Sequence, residues 1–380
     1  MKLFKKDSSG KIRTWTAEVN GASFRTITGI VDGTIVESAW TTTEPKNTGK
    51  KNATTAEEQA LAEVEALRAK YLRGDYHERI EDVDIVKHIK PMLATVFDKR
   101  VSKIKWDKES VIIQPKLDGI RMIATSNGFF TRTGKAIKTV PHIEEALKPV
   151  FEEYPDLVLD GELYNHALCD EFQKLVSLIK REEVTPEQLQ EVKELVQYHI
   201  YDVAQGHDGS YSERHELLAQ AAEIANDDCV RLVGYEPVTA PEEVYTMEGD
   251  NIKLGTITEK FIECGYEGSM VRIDSAPYAI GKRSSSLMKF KKFDDAEFEV
   301  IDFKDANGQW VGAAKVAIIK LPDGRVSVAT MRGTMEELQA IWKDKDDYIG
   351  ALATVQYFGK TDAGELRFPT VKILHKTERM

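Results

Sequence analysis

A chain of 380 residues is too long for one ordinary hydrophobic core, which predicts two or three domains. With 42% hydrophobic and 30% charged residues, and no apolar run near the ~18 residues that a membrane span needs, it reads as soluble and globular, with no membrane partner. The net charge of -11 excludes a protein that coats nucleic acid by bulk attraction, so any phosphate-binding surface has to be a local basic patch. The start, MKLFKKDSSGKIR, carries positive charge without an apolar stretch behind it, so a cytoplasmic location is expected, with a nuclear one open. Cys169, Cys229 and Cys264 lie far apart with no CxxC pair, against both a disulfide framework and a zinc ribbon.

In chain order, the first fifty residues hold short strand-like runs, one alternating at Trp15, Ala17 and Val19 and one containing Phe24, Ile27 and Ile30, separated by SSG, NG and DG turn signals. A Thr54–Glu57 capping box predicts a helix with an apolar stripe of Leu61, Val64 and Leu67, ending near Gly74. Lys5, Lys6, Lys11, Arg13, Arg25, Lys46, Lys50 and Lys51 give this leading module a basic face, or else a solvated charged rim. The acid-rich GDYHERIEDVD marks a boundary. From Pro91 to about Phe293, strand-like runs (VIIQPKL, RMIAT, LVLDGEL, YHIYDV, SMVRI, LMKFKKF) alternate with helical stretches, among them a helix opened by Pro186 and Glu187 with Leu189, Val192, Leu195 and Val196 on one side. From Asp294 five short strands and one helix capped by Thr334 and Glu337 suit an OB-like barrel. The expected fold is α+β, with domains at 1–88, 89–293 and 294–380, and nothing in the pattern demands more than a monomer.

QPKLDGIR contains Lys116, Asp118, Gly119 and Arg121 in a KxDGxR pattern. A lysine that attacks phosphorus has to shed its proton, which cationic neighbours or desolvation favour. In order after it come TRTGK with Arg132, VLDGELY with Asp160 and Glu162, YHIYDV with Tyr201 and Asp202, EGSMVR with Glu267 and Arg272, and LMKFKKF with Lys289 and Lys291. This ordered set resembles the motifs of the covalent nucleotidyltransferases, and within them the ATP-dependent DNA ligases of the short bacteriophage type, over about residues 89–293.

The resemblance implies a sheet-dominated nucleotidyltransferase (adenylation) domain, a C-terminal OB-fold β-barrel and an enzyme that seals nicks in double-stranded DNA with ATP. It implies that Lys116 takes AMP, that Lys289 and Lys291 neutralise charge at the α-phosphate, and that Asp118 acts near the metal and the nick. Gln114, Leu117, Arg121, Arg132, Glu162, Tyr201 and Glu267 would line the nucleotide site, with Glu162 on the ribose and Tyr201 stacked on adenine. Gln114 stands where many DNA ligases carry a glutamate that reads the adenine amine, and its amide oxygen can still accept that bond. Asp118, Glu162 and Glu267 would hold Mg²⁺ or Mn²⁺. Arg121, Arg132 and Arg272 would engage phosphates of AMP or DNA, with structural ion pairs as the other reading, above all for Arg272.

The family's closing RxDK motif is replaced by LRFPTVKILHKTER, which puts His375 in the arginine's place and leaves Lys372, Lys376 and Arg379 as substitutes. The leading module resembles a WGR-like domain, which makes Lys50 and Lys51 candidates for DNA contact. Two other readings stay open: an RNA ligase or capping enzyme of the same superfamily, and a nucleic-acid-binding protein that has lost catalysis.

Overall fold

The computed structural model describes residues 2–181, 184–249, 251–291, 293–305, 310–361 and 363–376. Two compact units divide the chain: Val86–Lys292, and Met1–Ile85 taken with Phe293–Met380. Among the described residues no helix is long and apolar enough to cross a membrane. All three cysteines are free.

The leading module is a meander of β1 (Leu3–Lys6), β2 (Ile12–Asn20), β3 (Ser23–Ile30) and β4 (Ile35–Glu37), with β5 (Thr41–Thr42) also pairing with β3. The helix α1 (Ala56–Arg73) packs Leu67, Tyr71 and Leu72 onto Leu3, Trp15 and Tyr76. Two details differ from expectation. The cap is Thr55 with Glu58, one residue later than Thr54 with Glu57, because Thr54 instead pairs with Lys46 and closes the loop between them. Leu61 is exposed, so the packed stripe lies on the turns further along the helix. The basic face is partly cancelled: Arg13, Arg25, Lys6 and Lys46 are held in ion pairs with Asp7, Glu18 and Glu37, Asp84 and Glu63. Lys50 and Lys51 stand exposed on the loop that the Lys46–Thr54 pairing closes.

The middle unit holds two five-stranded sheets. One has the order β12-β11-β10-β8-β9, from β8 (Ile120–Thr125), β9 (Gly128–Thr131), β10 (Val158–Tyr164), β11 (Gln197–Gln205) and β12 (Val230–Leu232). The other has the order β13-β7-β16-β17-β6, from β6 (Leu93–Val96), β7 (Val111–Lys116), β13 (Glu236–Val238), β16 (Gly268–Ile273) and β17 (Arg283–Phe290). The first sheet is covered by α2 (Pro141–Glu153), α3 (Phe172–Ile179), α4 (Pro186–Leu195) and α5 (Tyr211–Ala225), which build its main apolar core. A smaller core of Phe97, Ile113, Val271, Met288 and Phe290 lies on the second, with α6 (Pro241–Val244), the hairpin of β14 (Tyr245–Glu248) and β15 (Asn251–Leu254), and α7 (Thr256–Glu263). The helix expected from Pro186 is present, capped by Thr185 with Gln188, and buries Val192 as its pattern required.

The chain ends in a closed barrel of order β18-β19-β20-β22-β21, made of β18 (Asp294–Asp305), β19 (Ala314–Lys320), β20 (Val326–Thr330), β21 (Leu352–Tyr357) and β22 (Thr370–Leu374). The helix α8 (Met335–Lys343), with its Thr334–Glu337 capping box, falls between the third and fourth strands, as an OB-like barrel requires.

Candidate active site

Alternate residues of β7 share a face, so Gln114 and Lys116 point the same way. The chain then turns through Leu117–Gly119 into β8. At Gly119 a Cβ would meet the Leu163 carbonyl oxygen at 2.4 Å and the Glu162 side chain at 2.7 Å, so the glycine lets this turn lie against β10. On the other side, β16 runs antiparallel to β7 with Gly268 opposite Lys116, and the Glu267 N–H donates to the Lys116 carbonyl at 2.9 Å. Gly268 has φ +148°, and a Cβ there would lie 2.4 Å from the Phe290 carbonyl oxygen. The glycine thus brings Glu267 beside both Lys116 and the residues just after β17. Its carboxylate accepts hydrogen bonds from Lys116 Nζ and, at 2.6 Å, from Lys291 Nζ.

Residues of both sheets line a cavity of about 780 Å³, large enough for a nucleotide. Lys116, Leu117, Gln114, Arg121, Glu162, Tyr201 and Lys289 all line it, and Arg132, Lys135, Lys180 and Arg283 add positive charge to its wall. Burial, with Lys291 and Lys116 nearby, lowers the Lys289 ammonium below the ordinary lysine value. Burial alone would raise Glu267, but Lys116 and Lys291 overcome it and hold the carboxyl low. Glu162 goes the other way: burial pushes it up to about 7 against the pull of Lys116 and Arg121. Its Oε2 accepts from the Tyr201 hydroxyl at 3.2 Å. Arg121 is forked onto Asp160, with Nε 2.8 Å from Oδ1, and the Tyr278 hydroxyl donates to Asp160 at 2.6 Å.

Deeper between the sheets lies a second charged cluster. Asp202 accepts from Arg214 Nε at 2.7 Å and from Arg272 at 2.5 Å, and all three side chains are almost fully excluded from solvent. Arg272 is therefore no surface group: it was expected on DNA phosphates, but its guanidinium is committed to Asp202 and Gln114, under the ring of Tyr211 at 4.5 Å. This is the structural ion pair weighed as its other reading.

Two further expectations are corrected. Asp118, two residues after Lys116, would share its face if the segment stayed extended, but β7 ends at Lys116 and the turn follows, so it stands outside the cavity lining. The expected cation set of Asp118, Glu162 and Glu267 is not assembled: among the described residues no three His, Cys, Asp or Glu side chains converge to hold a metal. Glu267 is instead taken up by two ammonium groups. Lys50 and Lys51 belong to the other unit. In the barrel, Lys372 pairs with Asp295 at 2.8 Å and His375 lies 3.6 Å from Glu297, while Arg379 lies outside the described residues. Sequence reasoning missed Lys135, although it closes the TRTGK run, and it missed Tyr278 and Arg214, whose partners are distant in the chain.

The family described as "ATP dependent DNA ligase domain" matches residues 91–291, more than half of the chain. A DNA ligase of African swine fever virus is 27% identical over 314 residues, spanning 79% of this chain and 69% of the viral protein. One from Archaeoglobus fulgidus is 23% identical, over 57% of this chain and 36% of its own length. Among solved structures, one from a structure-function analysis of Lig E DNA ligases superposes with a TM-score of 0.61 at 21% identity, covering 75% of this chain and 99% of that one, a likeness of fold. The chain belongs to the ATP-dependent DNA ligase family.

Proposed function

We propose that the chain seals nicks in duplex DNA, joining a 3′-hydroxyl to a 5′-phosphate with ATP through an AMP adduct on Lys116. The observation that carries this reading is the convergence on one cavity of Lys116, Lys289, Glu162 and Tyr201, with Lys291 tied to Lys116 through Glu267. Lys116 Nζ bonds to the α-phosphorus as pyrophosphate leaves, AMP passes to the 5′-phosphate, and the 3′-hydroxyl displaces it. Each transfer depends on positioning and charge neutralisation. Glu267 is held ionised between two ammonium groups, which makes it a poor base and a good clamp. Lys289, which burial and the neighbouring lysines hold below the ordinary lysine value, and Lys291 place positive charge where the phosphate's charge develops. Mg²⁺ or Mn²⁺ arriving with the nucleotide, held by its phosphates with Glu162 as a carboxylate of the cavity lining, would supply further neutralisation. The matched family and the named relatives favour DNA over RNA as the strand joined.

In this reading the middle unit is the adenylating body, the barrel is an OB-fold, and the leading module is a WGR-like nucleic-acid-binding piece whose exposed Lys50 and Lys51 face phosphates. Substituting both with alanine should weaken nicked-duplex binding and lower the slope of log affinity against log salt by about 2. An unchanged slope removes the module from the DNA interface. The central test is incubation with α-labelled ATP. A covalent label that resists base and yields to acid is expected on the native chain, and none on Lys116→Ala. Label that survives that substitution overturns the nucleophile.

A further inference from the structure

The Gln114 side chain spans the wall between two cavities. One is the nucleotide cavity, lined by Gln114 and Arg272, and the other is a smaller one of about 360 Å³, lined by Val233 and Gly234. Its amide nitrogen donates toward the smaller cavity, to the Val233 carbonyl at 3.2 Å and the Gly234 carbonyl at 3.4 Å. Its amide oxygen accepts from Arg272 Nε at 2.9 Å. Donor chemistry alone dictates this orientation, since carbonyls only accept and a guanidinium only donates. Rotating the amide by half a turn would set its NH₂ against the guanidinium and its oxygen against two carbonyls. Arg272 is itself unable to swing away: Asp202 holds its other arm at 2.5 Å, and Asp202 is fixed by Arg214, which also donates to the carbonyls of Gly209 and Ala276.

We propose that Arg272 is a specificity-positioning residue, which locks the Gln114 amide with its oxygen toward the nucleotide so that the site selects adenine over guanine. The lock rests on the reading of the cavity as the ATP site. An amide oxygen has two lone pairs, and Arg272 occupies one. The other meets the 6-amino group of adenine as an acceptor meets a donor, whereas the 6-oxo group of guanine would bring two acceptors together. A glutamine free to rotate would offer NH₂ to guanine as readily as oxygen to adenine. A carboxylate at the same position needs no lock, because both of its atoms accept. Glutamine here therefore makes the selectivity depend on a second residue, Arg272, which acts through the amide it orients.

The test compares ATP and GTP affinities by calorimetry in the presence of a chelator, alongside covalent labelling from both nucleotides. Arg272→Lys keeps a cation opposite Asp202 but removes the Nε–H that holds Gln114. A purely structural role predicts that lysine restores native behaviour. The lock predicts that the ATP-to-GTP affinity ratio falls by about tenfold, the worth of one well-placed hydrogen bond. Gln114→Glu combined with Arg272→Lys should return the ratio to the native level. A ratio unchanged in Arg272→Lys, or not restored in the double variant, overturns the proposal. Native protein that prefers ATP in binding yet takes no covalent label overturns the ligase reading and leaves the lock to be judged on the affinities. Native protein that does not discriminate between the two nucleotides defeats the lock outright.

Discussion

Two carboxylates of the middle unit each hold two cations, and the difference between the cations separates scaffold from chemistry. Asp202 is bound by Arg214 and Arg272, buried between the sheets. Glu267 is bound by Lys116 and Lys291, whose side chains keep 21% and 13% of their exposure. A guanidinium does not deprotonate in a protein, so both cations that hold Asp202 keep their charge and their fork geometry. An ammonium can give up its proton, and the lysines of the Glu267 bridge keep more exposure than either arginine of the Asp202 cluster. The same electrostatic pattern therefore makes a fixed brace in one place and a reversible clamp in the other.

The contrast is exposed most strongly by Lys116→Arg. The guanidinium can still pair with Glu267, so the melting temperature should move little, yet covalent labelling should fall by more than about 10³-fold because the nucleophile is gone. Retained labelling would break the comparison at its root. Next in size is the pair Asp202→Ala and Glu267→Ala. The first leaves two buried guanidinium groups uncompensated and should cost about 3–5 kcal/mol in denaturant melts. The second leaves two part-exposed ammonium groups and should cost about 1 kcal/mol, while slowing adenylation far more than it weakens ATP binding. The opposite ranking of stabilities would show that the clamp, and not the brace, carries the fold.

Glu162 gives an effect that is read only as a change with pH. Its carboxyl is raised from the ordinary 4.5 to about 7, so the folded chain keeps a proton that the unfolded chain releases. The stabilisation this brings is complete below pH 4.5 and is lost as the pH rises through 7. Glu162→Gln, neutral at every pH, should flatten that decline between pH 5 and 8. Melting temperatures of the two proteins that run parallel across the range would show that Glu162 titrates normally.

Much of this architecture is legible in the sequence because it is local. The alternation in YHIYDV, the Thr334–Glu337 box and the Pro186 start each specify an element through neighbours a few residues away, and each element is present. Local signals also mislead by small steps. Thr54 and Thr55 are adjacent threonines, each followed three residues on by a glutamate, so only tertiary pairing of Thr54 with Lys46 decides which one caps. The two-residue spacing of Asp118 from Lys116 would put both on one face of an extended segment, but the strand ends at Lys116 and the chain turns before β8. The charged clusters are legible only in part. Lys116, Glu267 and Lys291 sit in recognisable motifs, whereas Tyr278 reaches Asp160 across 118 residues with no motif of its own, and Arg272 looks the same on paper whether it meets DNA or Asp202.

The first and last strands of the middle unit, β6 and β17, lie side by side and parallel at one edge of its sheet. Because the pair is parallel, the chain enters at Leu93 beside Arg283 and leaves β17 past Lys289 beside Val96, so entry and exit lie at opposite ends of the pair. The family match begins at residue 91 and stops at residue 291, next to these two strands. The first strand is thus the ladder partner of the strand that carries Lys289, and a chain cut back past Leu93 would lose register at the cavity wall as well as an edge strand.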